Sequence, residues 1–181
     1  VTLTVERLTH GGEGIGPQED GSHPGRMVFV RGTCPGDRIE VQLTTAKKRF
    51  ARGVLSRIIE AGPGRVEPPC DHASRCGGCS WQQVAPETQR EALENNLKFT
   101  FRGLADSNTK LMGLRSGASL GYRTRLRLHA KWTDTVFQLG FREHRGHDII
   151  SVSSCPVATP GIDALLGPLR NFLKRFAEPA R

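Results

Sequence analysis

The chain is short of what a single deep core or a membrane span requires. Aromatic residues make up 6% and hydrophobic residues 36% of its 181 positions. That supply favours two small cores, one helped by a metal staple, over one large core. No apolar run approaches the roughly 20 residues that cross a bilayer, so no membrane partner is expected. Residues 1–10 lack the basic-then-apolar order of a secretory signal. Signatures of catalysis are missing as well. There is no Gly-Lys-Ser/Thr phosphate loop, and Gly11-Gly12-Glu13-Gly14-Ile15-Gly16 has neither the spacing nor the following helix of a dinucleotide fingerprint. No strand, glycine-rich turn and helix combine to hold a methyl donor, and no cysteine or serine stands in a nucleophile context. No catalytic residue is therefore assigned. Internal repeats and long low-complexity tracts are also absent.

Positive charge is what the chain has in excess. Lys and Arg number 26 against 18 Asp and Glu, a formal charge of +8. A polyanion is the natural partner for such a balance, because each phosphate neutralised releases condensed counterions. The chain also has five cysteines. With no export signal, they are expected to stay reduced in a cytoplasm, where clustered thiols mean metal or catalysis more often than disulfides.

The hydrophobic pattern divides the chain in two. Residues 1–60 carry short apolar runs at 3–8, 27–30, 39–43 and 54–59, separated by Gly11-Gly12-Glu13-Gly14, Asp20-Gly21 and Pro35-Gly36-Asp37. Val28 and Val30, then Ile39, Val41 and Leu43, alternate as half-buried strands do, and the close spacing predicts a small antiparallel β-barrel. Ala61-Gly62-Pro63-Gly64 and Pro68-Pro69 form a joint. Residues 61–181 then predict an α+β unit. It has a helix at 86–102 with Leu93, Leu97 and Phe101 on one face, and strands at 122–131 and 136–142 joined through Thr133-Asp134. A run at 149–152 leads to Cys155, and an amphipathic helix capped by Thr159 starts near 160. Its stripe is Ile162, Leu165, Leu166, Leu169, Phe172, Leu173 and Phe176. The whole reads as β-rich α+β.

Cys70, Cys76 and Cys79 lie within ten residues, and Gly77-Gly78 lets the backbone curl so that two thiols face one centre. A fourth ligand must come from afar, and Cys155, followed by Pro156, is the natural donor. Three close cysteines with a distant fourth suit an iron–sulfur cluster. A zinc site, usually built from two paired knuckles, stays open, as do unrelated cysteines. Cys34 reads as a turn or core residue. His144 and His147 read as solvated loop residues, whereas His72, inside the cysteine loop, is placed to hydrogen-bond a sulfur.

Two basic clusters are candidate phosphate contacts. Arg123, Arg125 and Arg127 alternate along the strand expected at 122–131 and would line one face. Lys47, Lys48 and Arg49, with Arg52, lie at an expected loop of the β unit.

In order, the chain carries a Gly-rich turn, Val28-Phe29-Val30, Pro35-Gly36-Asp37, Arg65, Pro68-Pro69-Cys70, Arg75-Cys76-Gly77-Gly78-Cys79, Trp81-Gln82, Gly121-Tyr122-Arg123 and Ser154-Cys155-Pro156. This series resembles the RNA (uracil-5-)-methyltransferases that bear an N-terminal TRAM domain and a [4Fe–4S] cluster, especially those acting on 23S ribosomal RNA. The resemblance implies that residues 1–60 are an OB-like TRAM barrel that binds RNA. It implies that 61–181 are an incomplete cluster-bearing central domain, and that Cys70, Cys76, Cys79 and Cys155 ligate the cluster. It further implies that S-adenosylmethionine and the catalytic cysteine belong to a methyltransferase domain outside these residues, which would also be a partner for the terminal helix. The competing expectation is a stand-alone RNA-binding adaptor whose metal, iron–sulfur or zinc, only staples the fold.

Overall fold

The computed structural model describes every residue except 105, 107, 111, 134–135 and 177–181, with the Phe176 side chain also outside the description. Two compact units result: Val1–Pro68 with Ser80–Ser116, and Pro69–Cys79 with Gly117–Arg181.

The first unit is a six-stranded sheet with one helix. Its strands are β1 (Thr2–Thr4), β2 (Arg7–Leu8), β3 (Gly14–Pro17), β4 (Met27–Val30), β5 (Arg38–Ala46) and β6 (Phe50–Glu60), in the order β1-β5-β6-β4-β3-β2. All pairs are antiparallel except β4 with β6. The expected alternation holds at Val28, Val30, Ile39 and Val41, which join Leu3, Val5 and Ala51 in one aliphatic core, with Leu43 partly buried against it.

The expected barrel is not closed. β1 and β2 are only three and two residues long and stand at opposite edges of the ladder. The sheet curls far enough for the single bridge Leu3–Gln18. Strand β3 begins inside the Gly-rich stretch that reads as a turn. Gly12 is the true corner there, with φ at +86° and a position where a Cβ would stand 2.6 Å from that of Ser80. Only glycine fits it.

Helix α1 (Pro86–Phe101) starts on proline, as expected, but packs by a different face. Ala92 is buried with Leu8, Cys34 and Val84, while Leu93 and Phe101 stay exposed. The small side chain lets the helix come close, and the strap before it is fixed by polar contacts. Trp81 Nε1 donates to the Gly12 carbonyl at 3.2 Å, and Gln83 Nε2 donates to that of Thr33 at 3.0 Å.

One buried carboxylate gathers several of these segments. Asp37, with no solvent exposure, accepts from the backbone N–H of Cys34 at 2.6 Å and of Gly62 at 2.8 Å. It also pairs with the Arg65 guanidinium at 2.5 Å, whose other contact is the Gly32 carbonyl at 2.8 Å.

The second unit is a meander of β7 (His129–Thr133), β8 (Val136–Arg142) and β9 (Ile149–Ser151), followed by helix α2 (Pro160–Phe176). The Thr133-Asp134 connection lies partly outside the described residues. The strand expected at 122–131 is present only from His129. Upstream, Arg123 runs beside 157–159 instead, through Arg123 N–H to the Val157 carbonyl (2.8 Å) and Thr159 N–H to the Arg123 carbonyl (2.9 Å). Helix α2 buries Leu166 and leans Ile162 on the core, leaving Leu165 and Leu169 exposed. Arg170, unread in the sequence, ties the helix to the sheet by donating to the carbonyls of Leu139 and Val152.

Asp37→Ala removes a fully buried acceptor and leaves the Arg65 charge without its partner. A loss of about 3–5 kcal/mol is expected in urea unfolding of the chain; a loss under about 1 kcal/mol would contradict the role given to this pair.

Candidate metal centre and nucleic-acid interface

The cysteine loop, residues 69–79, is folded by its own backbone. Ala73 N–H donates to the Cys70 carbonyl at 3.0 Å and Cys76 N–H to that of His72 at 2.7 Å. The loop is then fastened to the end of β8: Gly77 N–H reaches the Arg142 carbonyl, His144 N–H reaches that of Arg75, each at 3.0 Å, and Arg75 pairs with Glu143 at 3.0 Å. The Cys155 segment is held separately, by its N–H to the Asp163 carboxylate at 2.5 Å.

Cys76 and Cys155 are both buried in the apolar core that holds Ile150, Val152 and Val157, and Cys79 packs against that core. Cys70 is half-buried. No disulfide joins any of them. Desolvation pushes the Cys70 and Cys155 thiols up, and the neighbouring cysteines add to the shift: Cys76 and Cys79 at Cys70, Cys79 and Cys70 at Cys155. Backbone amides act the other way. The His72 amide favours the thiolate of Cys70, those of Val157 and Ala158 favour that of Cys155, and Gly78 N–H lies 3.4 Å from Cys76 Sγ. So the amide two residues on faces the sulfur at three of the four cysteines. His72 does meet a sulfur, but through its backbone.

Donor chemistry and spacing bear on what such a set fits. Among the described residues, no three His, Cys, Asp or Glu side chains converge on a single-ion position. A zinc ion with Zn–S of about 2.3 Å would need sulfurs about 4 Å apart. Four thiols with backbone amides aimed at three of the sulfurs have the donor chemistry that an iron–sulfur cluster takes. Cys34 is elsewhere: it lies in the first unit, pushed up to about 11 by burial and then by Asp37, with Arg65 opposing.

The three arginines of the 122–131 row do different things. Arg123 is half-buried and donates to the Gly78 carbonyl at 3.0 Å, so it clamps the cysteine loop. Arg125 and Arg127 are exposed and line a cleft of about 390 Å³ with His129, Arg142, His144 and Arg145. The one carboxylate among the described lining residues, Glu143, is the partner of Arg75. Two further arginines that the sequence reading did not single out join them: Arg142 ends β8, and Arg145 lies in the Arg/Gly-rich turn that follows. In the first unit, Lys47, Lys48 and Arg49 form the exposed tip of the β5–β6 hairpin. Arg52 is less available, with its guanidinium 3.5 Å from Glu13 and over the Phe29 ring.

Residues 1–55 match the TRAM domain family. Over 183 aligned residues the chain is 34% identical to the 23S rRNA (uracil(1939)-C(5))-methyltransferase RlmD of Pectobacterium atrosepticum, covering 100% of this chain and 40% of that one. The chain is a TRAM-domain relative of the 23S rRNA (uracil-C5)-methyltransferases. The RlmD of Shewanella amazonensis is 36% identical, with 97% of this chain and 39% of the relative covered. A crystal structure of the Pyrococcus abyssi tRNA (uracil-54, C5)-methyltransferase with S-adenosyl-L-homocysteine superposes with a TM-score of 0.64 at 25% identity, over 96% of this chain and 37% of that one. The chain thus spans about 40% of the length of its RlmD relatives. Among the described residues, no helix is long and apolar enough to cross a membrane.

If Arg123 clamps the loop, Arg123→Ala should destabilise the second unit by about 1–3 kcal/mol, with faster amide exchange at residues 76–79. Arg125→Ala should stay within about 0.5 kcal/mol. Equal effects of the two would refute the distinction.

Proposed function

We propose that this chain is the RNA-recognising part of an S-adenosylmethionine-dependent 23S rRNA (uracil-C5)-methyltransferase. In this reading the TRAM-bearing unit and the second unit both hold RNA, and no catalytic role falls to these residues. S-adenosylmethionine and methyl transfer are assigned to the length of the relatives that this chain does not span. The observation that carries the reading is whole-chain identity to 23S rRNA methyltransferases together with a cleft of arginines beside the Cys76–Cys79 loop.

Cys70, Cys76, Cys79 and Cys155 would hold a [4Fe–4S] cluster, which in this reading supplies a cross-link between the loop and the Cys155 segment rather than redox chemistry. The chain's own groups do the rest. Amides of His72, Gly78 and Val157 favour the thiolates, Arg75 and Arg123 fix the loop, and Arg125, Arg127, Arg142 and Arg145 present their charge to phosphates. A cytoplasmic setting, where thiols stay reduced, belongs to the same reading.

The test is RNA binding by the full chain across salt concentrations, using a hairpin of ribosomal sequence. Affinity should fall linearly on a log–log scale, and changing both Arg125 and Arg127 to Ala should reduce the slope by about 1.4–1.8. With S-adenosylmethionine added, the RNA should gain no methyl group. An unchanged slope, or binding no tighter than that of an unrelated protein of equal charge, would overturn the proposal.

A further inference from the structure

Strands β4 and β6 place an aromatic group on the outside of the first unit. They pair in parallel with Met27 opposite Phe50 and Phe29 opposite Arg52. Because Val28, Val30 and Ala51 fill the core, alternation sends Phe29, Phe50 and Arg52 to the other face. There the two rings meet edge to face, with centroids 6.1 Å apart and planes at 88°. The Arg52 guanidinium lies 5.4 Å from the Phe29 centroid and is anchored from behind by Glu13 at 3.5 Å. Phe50 keeps 39% of its surface exposed.

The position of Phe50 supplies the rest. It directly follows Lys47, Lys48 and Arg49, all exposed, and its carbonyl accepts from Lys47 N–H at 2.8 Å, closing the hairpin tip. An accessible ring therefore stands next to three cations. Aliphatic residues would cover a sheet face equally well. A partly exposed ring beside three cations suits a nucleobase, whose faces are exposed only when it is unpaired.

We propose that Phe50, supported by Phe29 and Arg52, stacks one unpaired nucleobase while Lys47, Lys48 and Arg49 hold the phosphates beside it. This rests on the RNA-binding reading above and specifies what part of an RNA the first unit takes: a single-stranded loop or bulge, not a helix.

The experiment measures fluorescence anisotropy of the full chain with a labelled RNA hairpin carrying an unpaired loop, and with a fully paired RNA duplex of the same length. Phe50→Leu should weaken loop binding about five-fold or more and leave duplex binding unchanged. Phe50→Trp should restore the loop affinity, and both variants should melt like the parent. Replacing loop nucleotides one at a time by abasic ones should reveal a position that costs the parent about as much and costs Phe50→Leu nothing further. Parent-like loop binding by Phe50→Leu, or equal weakening on loop and duplex, would overturn the stacking role while leaving RNA binding standing. Failure of the parent to bind either RNA would overturn both.

Discussion

The second unit depends on how its thiols are packed. Its core is small: a three-stranded meander, one face of a helix, and Cys76 and Cys155 among the buried side chains. Two chain segments with no strand pairing between them, the loop at 69–79 and the stretch at 155–159, meet at those sulfurs. Burial alone holds two thiols weakly, since a small apolar side chain contributes only about 1–2 kcal/mol. The polar fastenings around them, Arg75 to Glu143, Arg123 to Gly78 and Cys155 N–H to Asp163, fix where each sulfur points. A centre bonded to all four would add the cross-link that the core is too small to supply.

The same fastenings connect that core to the surface. Gly77 and Gly78 belong both to the cysteine loop and to the lining of the arginine cleft. Whatever orders the loop therefore orders one wall of the cleft. In the proposed function this is how a group with no catalytic duty would matter to RNA recognition: it keeps the cationic groups at fixed spacing, so fewer side chains have to be ordered on binding. The first unit uses a different device for the same end. Asp37 and Arg65 pin the β4–β5 turn and the 62–65 segment, which frees the opposite sheet face to carry Phe29, Phe50 and the hairpin cations.

The fold was legible where period and punctuation agree. Strands 27–30 and 136–142 and helix α1 appear close to where Val/Ile alternation, proline and terminal charge place them. Strand β3 was hidden because glycines carry no apolar pattern. The row at 122–128 alternates like a strand, but Arg123 within it exchanges its backbone hydrogen bonds with Val157 and Thr159, partners no local pattern announces. For the site, the nearness of Cys70, Cys76 and Cys79 was readable because the three lie within ten residues of one another. The availability of charge was not. Arg52 is paired with Glu13, Arg123 spends its guanidinium on a carbonyl, and Arg142 and Arg145 join the cleft from the end of β8 and the turn after it.

The most direct measurement is iron and acid-labile sulfide per chain after anaerobic purification, made on the parent, Cys34→Ser and Cys155→Ser. A [4Fe–4S] cluster on the four cysteines predicts about four of each in the parent and in Cys34→Ser, and loss of both in Cys155→Ser. Stoichiometric zinc in their place, or full iron and sulfide retained by Cys155→Ser, would contradict it.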